Sequence, residues 1–164
     1  MEEAHMKIRP LQPGDYEKAK YLLEQIQITH SQNRPDIFRG PDMLMPEFIF
    51  LSAQDAPEKL SAVAEKEDGT LAGICLVSAH ENLPDNFVMV PRKFAMVDTM
   101  CVSPDCRRQG IAEQLLTYVK ERAAELDFDS VELKVAAFNG PAQSLYAKLG
   151  FTPQSHQLEW KIKK

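Results

Sequence analysis

Val102-Ser103-Pro104-Asp105-Cys106-Arg107-Arg108-Gln109-Gly110-Ile111-Ala112 is the stretch on which the reading of this chain turns. An apolar run from Phe94 to Val102 enters it, and an amphipathic run from Gln109 to Leu126 leaves it. Between them lie Arg107, Arg108 and Gly110, at the point where a helix begins. Backbone N–H groups at a helix start lack intrahelical partners, and the helix dipole adds positive character there. Glycine lets a ligand approach the backbone closely, and arginine favours phosphate oxygens. The stretch therefore reads as strand, turn and helix, with an anion site in the turn suited to a pyrophosphate. It holds neither Gly-x-x-x-x-Gly-Lys-Ser/Thr nor Gly-x-Gly-x-x-Gly, which excludes the P-loop and the dinucleotide fingerprint.

Downstream, Ile111, Leu115, Leu116, Val119, Ala123 and Leu126 recur at helical spacing and give the helix one buried face. Val131 to Phe138 reads as a strand. Strands joined through a helix run parallel, so this one is expected beside Phe94–Val102. Asn139-Gly140-Pro141 opens a short helix through Ala142, Leu145, Tyr146 and Leu149, which Gly150 ends. From Phe151 the alternation of His156, Leu158, Trp160 and Ile162 predicts a last strand, with Trp160 in the core.

Upstream, Met6 to Leu11 reads as a first strand. Asp15, after Pro13-Gly14, reads as the N-cap of a helix carrying Ala19, Leu22, Leu23 and Ile26. Ile28 to Phe50 contains Pro35, Pro41 and Pro46, which predicts a mostly irregular segment with room for a short helix around Met43 to Leu51. Ser61–Lys66 and Leu71–Ala79 flank Asp68-Gly69, a hairpin signal. His80 to Lys93, with Pro84 and Pro91, reads as a longer connection. The order predicts a mixed α/β fold built on one sheet.

The bulk numbers bound the function. A chain of 164 residues, 44% hydrophobic and 26% charged, fits one globular domain spanning 1–164. A net charge of −5 argues against a nucleic-acid partner, which would want a basic face. No run approaches the roughly 20 apolar residues of a membrane span. The N-terminal Met1–Met6 is acidic and lacks the layout of a signal peptide. Three cysteines, Cys75, Cys101 and Cys106, without a Cys-x-x-Cys pair, predict neither a disulfide framework nor a thiolate metal site. A reducing cytoplasm follows as the expected compartment.

Two segments read together are more specific than either alone. Val102 to Ala112 resembles the acyl-CoA-binding motif of the GNAT superfamily of N-acetyltransferases, Val-x-Pro-x-x-Arg/Gln-x-x-Gly-x-Gly/Ala. Asn139 to Phe151 resembles that family's second motif, Asn-x-x-Ala-x-x-Leu-Tyr-x-x-x-Gly-Phe. The resemblance implies a central, mostly antiparallel sheet with one parallel, splayed strand pair flanked by helices. It implies an acetyl-CoA cosubstrate, no metal and an amine acceptor, and it leaves a homodimer open. In the family the turn cradles the CoA pyrophosphate, a role that falls here to Arg107, Arg108, Gln109, Gly110, Ile111 and Ala112. The preceding strand would bond the pantetheine arm through Met100, Cys101 and Val102, beside a bulge. Asn139 matches a position that contacts the cofactor. Tyr146 matches the tyrosine that gives a proton to the departing thiolate.

The chemistry asks for one more group. An amine of pKa near 10 is neutral on the order of one time in a thousand at pH 7, so something must take its proton. Asp98 is the acidic residue of the Phe94–Val102 strand and stands where many family members carry a glutamate base. A backbone N–H near Met100 would face the oxyanion. Cys101 reads as a small apolar packer, and Cys106 as an exposed thiol in the turn. His30, His80 and His156 show no metal-ligand spacing. Thr29–Phe50 and His80–Lys93 are expected to wall the acceptor site, with Asp36, Glu47, Glu81 and Asp85 drawing in a cation. A silent acyl-CoA-binding module and a plain interaction domain are the rival readings.

Overall fold

The computed structural model describes residues 6–54 and 59–163. The chain falls into two compact units, Met1–Lys134 and Val135–Lys164. In the first unit a five-stranded sheet runs β1 (Lys7–Pro10), β2 (Ala62–Glu65), β3 (Leu71–Asn82), β4 (Arg92–Val102), β5 (Ser130–Leu133), in that spatial order. The first three pairings are antiparallel and β4–β5 is parallel, as the crossover through a helix requires. These strands occupy the expected runs, with β3 and β4 longer than read, so that the expected His80–Lys93 connection shrinks to residues 83–91, and β1, β2 and β5 shorter.

The β2–β3 hairpin owes its pairing to the Asp68-Gly69 turn. Gly69 takes a positive φ of 81°, and Asp68 accepts from the Thr70 amide at 2.9 Å and the Thr70 hydroxyl at 2.6 Å. Helices α1 (Asp15–Asn33) and α2 (Glu47–Gln54) supply one core with Leu22, Leu23 and Phe50, which pack with Val63, Ile74, Leu76 and Cys101. Helix α3 (Ile111–Glu125) packs on β2 and β3 and buries Ile111, Leu115, Leu116, Val119 and Ala123. A fully buried aliphatic side chain is worth about 1.5–3 kcal/mol, so these faces dominate the stability of the unit. Gly73 on β3 is what lets α3 come in. A Cβ there would stand 3.0 Å from the Cys101 carbonyl oxygen and 3.1 Å from Leu115 Cδ1.

Several expectations change. Helix α1 runs to Asn33, seven residues past Ile26. Its N-cap is Gly14, and Asp15 is the first helical residue instead. The Asp15 carboxylate is drawn inward by Arg9, whose guanidinium binds both its oxygens at 2.8 Å, and it also accepts from the Gln12 amide at 2.8 Å. Arg9 is shared with Glu65 at 2.8 Å, so one buried cation ties β1, α1 and β2. Cys106 is buried, not exposed, as the last residue of a tight turn in which its amide donates to the Ser103 carbonyl at 2.9 Å.

In the second unit, α4 (Gly140–Lys148) is the regular element, ended by Gly150 with a φ of 90°. The predicted strand after Phe151 does not form: residues 151–163 carry no helix or strand. Trp160, expected in the core, is 94% exposed, with Leu158 and Ile162 equally open. Period-two alternation specifies a face only when a neighbouring strand supplies the ladder. The acidic N-terminal residues 1–5 lie outside the described residues.

Candidate functional site

The β3–β4 pairing is interrupted once. Leu76 stands opposite Thr99 and Val77 opposite Val97, so Asp98 is an extra residue on β4, a β-bulge. The β4–β5 ladder ends at the same place, with Val97 opposite Leu133. Past the bulge, Thr99 to Val102 keeps its pairing to β3 while the ladder on its other edge has stopped. An open strand edge presents N–H and C=O groups that an extended ligand can bond. The side chain of Cys101 points into the core, so this edge offers its backbone, not a thiol.

The turn begins where β4 stops. Ser103 fastens it through its amide to the Ala72 carbonyl at 2.8 Å. The Ser103 hydroxyl donates to the Asp105 carboxylate, and Lys66 adds an ion pair at 3.3 Å. These contacts, the hydroxyl first, hold the Asp105 carboxyl below its usual range, and Asp105 in turn raises Lys66. A short 3₁₀ turn, Pro104–Cys106, leads to Arg107, whose Nε donates to the Val102 carbonyl at 3.3 Å. Arg108 and Gly110 both take positive φ, 61° and 74°. The first intrahelical bond of α3 is Gln114 N–H to the Gly110 carbonyl, which leaves the amides of Ile111 and Ala112 without helical partners. Arg107, Arg108, Gln109 and Gly110 are exposed at this rim. The arrangement suits a phosphate-bearing ligand.

A cavity of about 440 Å³ opens over the bulge. Leu76, Val77, Ser78 and Ala79 of β3, and Asp98 and Thr99 of β4, form its floor; Met45, Ile49, Ser52 and Ala53 form its wall. The wall is fixed from behind. Phe50 is fully buried and meets the Tyr16 ring edge-on at 5.4 Å, and the Tyr16 hydroxyl donates to the Met45 carbonyl at 2.8 Å. Ser78 bonds His80 Nε2 at 2.9 Å, and His80 stacks on Phe94 at 5.1 Å. A second, shallower groove of about 480 Å³ runs along α3 past Glu113 and Glu121. It starts at Gly110, at the end of the turn, and its lining beyond that brings two carboxylates and no lysine or arginine.

The first unit thus brings together Asp98, Met100, Cys101, Val102 and the whole turn from Arg107 to Ala112. Asn139 and Tyr146 belong to the second unit. There the Asn139 side chain caps α4, accepting from the Ala142 amide at 3.2 Å. Tyr146 meets Phe151 edge-on at 5.7 Å, and its carbonyl accepts from the Phe151 amide at 2.9 Å. Of the two segments expected to wall the acceptor site, Thr29–Phe50 supplies Met45 and Ile49, and His80–Lys93 supplies no lining residue; the sequence reading missed Ser52, Ala53 and the Ser78–His80 pair. The spacing of two on a strand puts Ser78 and His80 on one face, and that was the available signal. Of the acids expected to attract a cation, Asp36 is held by Nε and Nη2 of Arg34 at 2.8 Å, and none of Asp36, Glu47, Glu81 and Asp85 lines the cavity. Among the described residues no group of His, Cys, Asp and Glu is placed to hold a metal ion, and no helix is long and apolar enough to cross a membrane.

Residues 25–151 match the model of the acetyltransferase (GNAT) family. A curated Bacillus subtilis (strain 168) protein, named provisionally as a ribosomal protein bS18-alanine N-acetyltransferase, is 30% identical over 88 residues. That match covers 54% of this chain and 51% of the relative, so the chain spans about half the length of the curated protein it resembles. Among solved structures, a mutant of the BH1408 protein of Bacillus halodurans is 24% identical, with a TM-score of 0.88 over 96% of this chain and 99% of that one. Glucosamine-6-phosphate N-acetyltransferase from Arabidopsis thaliana is 19% identical, with a TM-score of 0.68 over 97% and 99%. These two likenesses are of fold.

Proposed function

This chain belongs to the acetyltransferase (GNAT) family, and on that premise we propose that it transfers the acetyl group of acetyl-CoA to the primary amine of a small molecule, by direct attack in a ternary complex. One observation carries the reading. The β4–β5 ladder ends, a carboxylate bulges out and an anion-suited turn begins within a single strand and its exit. The amides of Gly110, Ile111 and Ala112, with Arg107, Arg108 and Gln109 beside them, hold the CoA pyrophosphate. The backbone of Met100, Cys101 and Val102 bonds the pantetheine arm.

Asp98, directly or through a water, takes the proton that the amine must lose before it attacks the thioester carbonyl. A backbone N–H near Met100 stabilises the oxyanion. As the C–S bond breaks, Tyr146 gives a proton to the thiolate, and Asn139 contacts the cofactor. Residues 1–164 act as one acetyltransferase domain. The three cysteines are free and buried, which fits a reducing cytoplasm.

The test pairs acetyl-CoA thermal shift with thiol release across an amine panel. A ligand at 100 times its Kd stabilises by about 2.7 kcal/mol, an easily read shift. Tyr146→Phe and Asp98→Asn should each lose about 100-fold or more in turnover, the usual worth of a positioned acid or base, while keeping the shift. A shift without thiol release from any amine would make this a silent acyl-CoA-binding module. No shift at millimolar acetyl-CoA sinks the reading altogether.

A further inference from the structure

We propose that the acceptor is a monoamine with an apolar body, of the alkylamine or arylalkylamine kind, and not a polyamine or aminoglycoside. The proposal rests on the acyl-transfer reading and adds the acceptor's chemistry to it.

The cavity over the bulge is apolar on two sides. Met45, Ile49 and Ala53 line it from the α2 side and Leu76 from β3, while Val77 and Ala79, on the alternate face of the strand, line it with backbone. Among the described residues, the polar lining consists of three hydroxyl residues, Ser52, Ser78 and Thr99, and one carboxylate, Asp98. An ammonium group leaves water favourably only where an opposite charge or a full set of acceptors meets it. One carboxylate serves one ammonium. A polyamine or aminoglycoside carries further ammonium groups, and these would press against methyl and thioether groups. Among the described residues, the other acids of the flanking segments give no relief, since none lines the cavity and Asp36 is already paired with Arg34.

The apolar wall is a fixed one. Its helix is anchored by the buried Phe50, and the Met45 backbone by the Tyr16 hydroxyl, so the apolar wall is part of the packed fold. The cavity volume of about 440 Å³ falls among sites for small organic molecules, which span roughly 300–1,000 Å³. Each methylene buried in such a wall is worth about a three- to fourfold gain in kcat/KM.

The experiment measures thiol release from acetyl-CoA by the full chain. Acceptors are n-propylamine to n-hexylamine, phenethylamine, spermidine, kanamycin and a short peptide with a leucine N-terminus. The expected result is a kcat/KM that climbs about threefold per methylene, with phenethylamine at least tenfold above spermidine and kanamycin. Ile49→Asp, at a partly exposed position of α2, should cut phenethylamine turnover about tenfold or more and leave the acetyl-CoA thermal shift unchanged. Met45→Gln gives the same comparison if that variant folds poorly. A flat alkylamine series, or spermidine, kanamycin or the peptide outrunning phenethylamine, overturns the proposal while leaving acyl transfer standing. Loss of both the acetyl-CoA shift and all thiol release removes the acyl-transfer reading, and this proposal with it.

Discussion

Single side chains in this protein are governed by what surrounds them more than by their type. Burial pushes the Cys75 thiol up to about 12 and the Cys101 thiol up to about 11. Neither forms a thiolate near neutrality, so Cys101 beside the site is inert despite its position. At pH 8 the native protein should leave both unlabelled by iodoacetamide over a time that labels the denatured chain completely. Rapid native labelling at Cys101, read by mass spectrometry, would contradict its place in the core. The role of Asp15 was not legible in sequence because the cue was local and the cause was not. Pro13-Gly14-Asp15 carries every mark of a cap, and Arg9 reclaims the carboxylate from six residues away. Asp98 could be picked out by its chemistry. That it bulges depends on Leu76 and Val77 across the ladder, which no local pattern announces.

At the scale of elements, contacts between segments set both stability and pH response. The Arg9 guanidinium holds the Glu65 carboxyl down to about 2 and so links β1 to β2. A carboxyl depressed in the folded state contributes stability above its unfolded pKa, and that contribution is lost as pH falls through the folded value. The thermal midpoint should therefore drop between pH 4.5 and 2, and Glu65→Gln should start lower at pH 7 and lose less over that window. Gly73→Ala should cost about 1–3 kcal/mol in denaturant unfolding, since the new methyl meets a backbone oxygen that cannot yield and a side chain of α3. The core elements were legible because their apolar spacing is regular. The last turns of α1 were not, because Thr29, His30, Ser31 and Asn33 carry no apolar stripe. Their side chains bond carbonyls of the preceding turn, and His30 meets Phe38 edge-on at 4.7 Å.

Across the whole molecule, the two parts differ in kind. The sheet unit holds the buried core, and residues 151–163 expose the apolar side chains Leu158, Trp160 and Ile162. The alternation there was readable and its outcome was not, because a strand exists only with a partner. Trp160 is the only tryptophan in the chain, and it is open to water. Its emission should already sit near that of free indole in the native state, with strong quenching by iodide. Unfolding of the sheet should then appear in circular dichroism with little change in fluorescence. A large red shift on unfolding would mean that Trp160 is shielded in solution.

The bulge also has an arithmetic. With Asp98 removed, Thr99 would still stand opposite Leu76 and Val97 opposite Val77, and every other pair of the ladder would keep its partner. Asp98 is thus a surplus residue, like the extra half-row of atoms that ends at a crystal dislocation, and excising it anneals the defect. Deleting a residue from a central strand ordinarily destroys a fold by throwing half its side chains to the wrong face. Here the deletion should leave the melting temperature unchanged or higher and abolish acetyl transfer. An unfolded deletion variant would show that the strand does not tolerate being made regular.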